Sequence, residues 1–142
     1  MYNFPIGAML ESFQLPFREA VEKAASIGVQ GLQMYMTSGE MAPENLTPGK
    51  IAEMLDIIKS NGLKVSAICG DFGHGFGDPN ANPELIERSK RVMDLTMHFE
   101  TNIVTTHIGV VPQIKNIHVM ALCRMLVNSL QTMQIVSEDI LQ

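Results

Sequence analysis

The chain has 142 residues, 46% of them hydrophobic and 18% charged, which gives room for one domain with one core and is too apolar for a disordered chain. Fifteen acidic against ten basic residues give a net charge of -5, with no Lys and Arg block to follow a phosphate backbone, and this disfavours a nucleic-acid partner. No apolar run reaches the roughly 18 to 20 residues of a membrane span, and residues 1–13 lack the basic and apolar regions of a signal peptide, so the expectation is a cytoplasmic protein without a membrane partner. Cys69 and Cys123 stand far apart without CxxC or Cys/His ligand spacing, and they read as buried free thiols rather than a disulfide or a zinc ribbon.

Short apolar runs alternate with amphipathic segments, the rhythm of β/α units and a parallel sheet. A first strand is predicted at residues 4–9 and a helix at 16–27, with Phe17, Val21 and Ala24 on one face and Gly28 at its stop. Residues 31–36 form a second strand. After a loop rich in Ser, Gly, Pro and Asn, Thr47 and Pro48 supply the N-cap and first turn of a second helix. Its stripe is Ile51, Met54, Leu55 and Ile58, and Asn61-Gly62 ends it.

Residues 63–68 make a third strand, followed by a Gly-rich loop over 70–77. Asn82 and Pro83 repeat the cap-plus-proline start, opening a third helix to about residue 99 with Ile86, Ser89, Met93 and Met97 along one side. A β-branched fourth strand is predicted at 102–107. Beyond Pro112 the texture changes. Residues 116–142 contain no Gly or Pro and only Arg124, Glu138 and Asp139 as charges, and a helix over 119–133 is the most they suggest.

In a parallel β/α array the working groups collect at the C-terminal ends of the strands. Those ends offer Glu11 and Ser12, then Thr37, Ser38 and Glu40, then Cys69, Asp71 and His74, and finally His107. Two histidines and several acids on one rim begin a metal or acid/base site. The alternatives are plainer. His107 equally suits a hydrogen-bonded structural histidine, and the loop of Asp71 and His74 equally suits glycines present for positive φ. Glu40 and Glu44 read as a solvated face, and His98 and His118 as surface residues. The glycine spacing G-x-x-G-x-G-x-G is not the dinucleotide fingerprint.

Gly70-Asp71-Phe72-Gly73-His74-Gly75-Phe76, Arg91-Val92-Met93-Asp94-Leu95 and Thr101-Asn102-Ile103-Val104-Thr105-Thr106-His107-Ile108-Gly109 through Pro112 resemble the sugar phosphate isomerase/epimerase family, which has a xylose isomerase-like TIM barrel. Ile6-Gly7, Phe17-Arg18-Glu19-Ala20 and Gly31-Leu32-Gln33-Met34-Tyr35 add to the likeness. The resemblance runs from about residue 5 to 112. It implies an α/β fold, the first half of a (β/α)8 TIM barrel in about four β/α units, because a full barrel needs about 250 residues.

The resemblance also implies metal-assisted isomerisation or epimerisation of a sugar or sugar phosphate in the full-length family. A divalent metal (Mn, Mg, Co or Zn) would be held there by acidic and histidine ligands from later strands, beginning with a Glu after strand five. This chain is expected not to bind that metal. His107 and His74 carry over as substrate-binding residues, Asp71 joins them as a candidate from its place in the loop after the third strand, and His107 is a metal ligand if the endonuclease branch is the better guide. An apurinic-endonuclease-like hydrolase remains the lesser alternative, and a non-catalytic half barrel that self-associates through its open edges is the other.

Two departures from the family stand out. Phe99-Glu100 replaces the usual Leu-Gly at the end of the third helix, removing the easy left-handed cap. Residues 113–142 form an atypical tail after the 1–112 partial barrel. Back-translated and shifted by two nucleotides, residues 116–142 are compatible with the family pattern, the expectation for a frameshifted tail, in which Glu138 would match the strand-five glutamate only by accident.

Overall fold

The computed structural model describes residues 4–76, 78 and 80–107. Four parallel strands lie in sequence order, β1 (Gly7–Met9), β2 (Gly31–Tyr35), β3 (Lys64–Cys69) and β4 (Val104–Thr105). Helices α1 (Phe17–Ser26), α2 (Pro48–Ser60) and α3 (Asn82–His98) connect them. This is the first half of a TIM barrel, as predicted. The expected helix over 119–133, the tail, Cys123, His118 and Glu138 lie outside the described residues.

Alternation along β2 separates two faces. Leu32 and Met34 are fully buried in the main core, whereas Gln33 and Tyr35 are half-buried on the opposite, concave side. The register places Met9 beside Gln33 and Ala67, and Tyr35 beside Cys69 and Thr105. A bulge at Ser66 interrupts β2–β3, since Leu32 pairs with Val65 but Gln33 pairs with Ala67. The extra residue is stabilised where it stands: Ser66 Oγ donates to the Leu32 carbonyl at 2.8 Å.

The helices cover the other face. α1 buries Ala20, Val21 and Ala24, and α2 buries Ile51, Met54, Ile57 and Ile58. Thr47 is the N-cap foreseen for α2, its hydroxyl accepting from the Lys50 amide at 3.3 Å. Gly28 and Gly62 stop α1 and α2 with φ of +82° and +72°.

Three local expectations need correction. β1 and β4 are shorter than the apolar runs suggested, because Ile6 is tied instead to Gln30, whose Oε1 accepts from the Ile6 amide at 2.7 Å, and because Thr101 Oγ1 accepts from the Ile103 amide just before β4. Asn82 is not the N-cap of α3. Ala81 holds that place, and Asn82 turns inward to donate from Nδ2 to the Phe76 carbonyl at 2.9 Å. The buried face of α3 is Leu85, Ser89, Val92 and Thr96, while Met97 is 42% exposed. Thr96 is accommodated because its Oγ1 donates to the Val92 carbonyl, Val92 fits over Gly70, where a Cβ would come within 3.2 Å of it, and the buried Ser89 hydroxyl has no hydrogen-bond partner among the described residues.

After Phe99, which is fully buried, Glu100 takes a φ of +60°. The missing glycine is therefore not avoided: a glutamate occupies the left-handed cap, and its carboxylate pairs with Lys59.

Candidate active-site rim

The C-terminal ends of β1 to β4 form one rim, and the chain enters it differently at each strand. After β1 a 3-10 turn (Leu10–Phe13) closes with Gln14 at φ +52°. It points Glu11 across to the next strand, where its Oε1 accepts from the Tyr35 amide at 2.8 Å. After β2, two 3-10 turns (Gly39–Met41 and Pro43–Asn45) carry the loop outward. Glu40 and Glu44 are exposed, Glu40 lying 3.7 Å from Lys50, in keeping with a solvated face.

On the concave side the rim gathers around Tyr35. The register sets it beside Cys69, a buried free cysteine. The neighbouring Cys69 and then burial raise the phenol above its ordinary value, with Asp71 and Glu11 pushing in the same direction. Glu11, Cys69 and Asp71, from the ends of β1 and β3, thus all bear on Tyr35 of β2. Strand periodicity places Thr37, Asp71 and His107 two residues beyond the Tyr35, Cys69 and Thr105 layer.

Asp71 is half-buried and accepts the Gly73 amide at 2.9 Å, an Asx turn completed by Gly73 at φ +76°. His74 and His107 are both exposed. The rim therefore brings Asp71, Glu11 and Cys69 together and leaves both histidines at its solvent edge.

Sequence reasoning missed Tyr35, Gln33 and Arg88. The alternation of β2 contained the signal for the first two, since they face away from Leu32 and Met34. Gln33 Nε2 donates to Thr105 Oγ1 at 3.1 Å, joining β2 to β4 across the concave face. Arg88 carried no such signal. From α3 its guanidinium lies over the Phe72 ring, 4.1 Å from the centroid, and donates to the Thr37 carbonyl at 3.4 Å, bracing two rim loops at once.

Among the described residues no group of three His, Cys, Asp or Glu side chains is arranged to hold a metal ion. The described residues alone thus supply no ligand set for the metal centre that the resemblance implies. A cleft of about 610 Å³ opens at the opposite end of the sheet, lined by Ile6, Gly7, Gly31, Ser66, Met97 and Ile103 among others. The rim remains the better candidate for chemistry, because strand C-termini are where β/α barrels carry their working groups. Among the described residues no helix is long and apolar enough to cross a membrane.

Four parallel strands joined by three helices, with ionisable groups at the C-terminal rim, define half of a barrel of the TIM class. The family model described as Xylose isomerase-like TIM barrel matches residues 21–135, and the chain belongs to that family. Among solved structures, it is similar to a xylose isomerase domain protein from Planctomyces limnophilus, with a TM-score of 0.68 and 17% sequence identity. The alignment covers 94% of this chain and 51% of that one, so the chain spans about half the length of that structure. No curated protein matches the chain.

Proposed function

We propose that this chain forms the sugar-binding wall of a sugar or sugar phosphate isomerase or epimerase barrel. The observation that carries the reading is the meeting of Glu11, Tyr35 and Cys69 at the concave rim, through the Glu11 hydrogen bond to the Tyr35 amide and the pairing of Tyr35 with Cys69, with Asp71 two residues further on, inside a fold of the xylose isomerase-like family. Such a reaction moves a hydrogen between adjacent carbons of an open-chain sugar, and it needs hydroxyl-binding groups together with an acid/base at the same rim.

In this reading Asp71 accepts a substrate hydroxyl through the oxygen left free by its Asx turn. His74 and His107, exposed at the rim edge, close over the sugar or its phosphate. The Tyr35 phenol, kept protonated by its neighbours, donates a hydrogen bond inward. The divalent metal of the parent reaction, Mn, Mg, Co or Zn, takes no ligand set from the described residues. Turnover is accordingly not expected of this chain alone. The reading also places it in the cytoplasm, with a small-molecule partner and no nucleic acid.

Binding is the test. The 15N-labelled 142-residue chain, titrated with a ketose phosphate, is expected to shift the amides of Asp71, Gly73, His74 and His107, with a weak affinity in the millimolar range. Asp71→Asn and His107→Ala should each weaken it. No shift at the rim, or shifts confined to the far end of the sheet, would overturn the reading.

A further inference from the structure

We infer that Arg88 is a positioning residue for the rim: from α3 it fixes the loop that carries Asp71 and His74 and ties that loop to the one after β2. The ligand arm of its test rests on the sugar reading, and the loop arm does not.

The loop after β3 needs an outside hold. Its last backbone tie to the sheet is the Gly70 amide, which donates to the Thr105 carbonyl at 2.8 Å. From residue 71 to 76 no backbone group pairs with another among the described residues. The Asp71 carboxylate turns back on the Gly73 amide of the same loop. A segment so placed is ordered by what its side chains meet.

What they meet is α3. Val92 lies over Gly70, the Arg88 guanidinium lies over the Phe72 ring, and Leu85 packs with the fully buried Phe76. Asn82 Nδ2 then donates to the Phe76 carbonyl. Positions 92, 88, 85 and 82 are spaced for one side of a helix, so the loop is laid back along α3 toward its start. Between these pins Asp71 is left half-buried, and Gly73 and His74 are exposed.

Arg88 holds the pin next to Asp71, and it also reaches a second loop by donating from Nη2 to the Thr37 carbonyl. Glu44, Glu84 and Glu87 line the same cleft, yet Arg88 makes no ion pair among the described residues. Its planar fork is held on a ring and a carbonyl instead, two contacts that fix loop geometry. Removing it frees the neighbour of Asp71 and unlinks the two loops together.

Arg88→Ala in the 15N-labelled full chain tests this in two arms, with circular dichroism verifying the fold. In the loop arm, the heteronuclear NOE of Gly73 and His74 should fall while that of Leu32 and Ile68 in the core stays. Ethylguanidinium, which can refill the place on the Phe72 ring, should restore it. In the ligand arm, affinity for dihydroxyacetone phosphate should weaken about tenfold and be restored in the same way. Arg88→Lys, which keeps the charge without the planar fork, should lie between. Arg91→Ala removes an equal charge from an exposed site in the same cleft and should leave both readouts unchanged.

A loop as ordered in Arg88→Ala as in the unsubstituted chain would overturn the inference. So would an Arg91→Ala that weakens binding equally, since charge alone would then be the cause. Binding that Arg88→Ala leaves unweakened would also overturn it, while sparing the sugar reading. An unsubstituted chain that binds no dihydroxyacetone phosphate counts against the sugar reading instead, and the loop arm then decides the role of Arg88.

Discussion

The two ends of the same four strands differ in kind. At the C-terminal end Glu11, Cys69 and Asp71 bear on Tyr35, and Arg88 braces the loops after β2 and β3. At the N-terminal end, paired glycines and exposed isoleucines line a cleft beside Lys64 and Glu100. One end gathers ionisable side chains around a tyrosine, and the other lines an open cleft with small and apolar ones. The lesson is that neither end contributes most of the stability, which lies on the helix-facing side of the sheet.

That contrast is broken most severely on the core face. Ile68→Ala removes a fully buried side chain and should cost about 2–5 kcal/mol in urea unfolding. Gln33→Ala, on the concave face, loses only the hydrogen bond to Thr105 and should cost about 0.5–1.5 kcal/mol. Equal losses from the two would show that the faces are not energetically distinct. Next in size, Thr47→Ala should cost about 1 kcal/mol by leaving the start of α2 without its cap.

Glu100→Gly has the opposite sign. It relieves a left-handed φ of +60° and should raise stability by about 0.5–1 kcal/mol, because the exposed pair with Lys59 that it gives up is worth less than that. A fall in Tm would mean that the ion pair outweighs the backbone strain.

The smallest effect is on the rim. Tyr35 should ionise above its ordinary value of 10.0, visible as a late Cζ shift in a 13C NMR titration, and Cys69→Ala should bring it down. Because the folded value is raised, the contribution to stability is complete below about pH 10 and is lost as pH climbs through the folded value. A Tyr35 that titrates normally would remove the coupling on which the rim cluster rests.

Much of this was legible in the sequence. Thr47-Pro48, Gly28 and Gly62 announced caps that the structure shows, and the β/α rhythm placed all four described strands. What escaped depends on distant partners. Asn82 resembles an N-cap locally, yet its amide is drawn inward by the Phe76 carbonyl, and the α3 stripe rotates because Gly70 admits Val92. For the site, strand-end reasoning found Glu11, Cys69 and Asp71. It missed Tyr35, whose role rests on groups that the two neighbouring strands bring to it, and Arg88, whose role depends on a helix meeting two loops. His74 and His107 occupy the rim edge, and their binding role is part of the proposal.

The central claim is that the two ends of the sheet do separate work, and one NMR series on the full chain tests it directly. A ketose phosphate should move the amides of Asp71, His74 and His107 and leave those of Gly7, Gly31 and Ile103 in place. Shifts at Gly7, Gly31 and Ile103 with none at the rim would contradict the account.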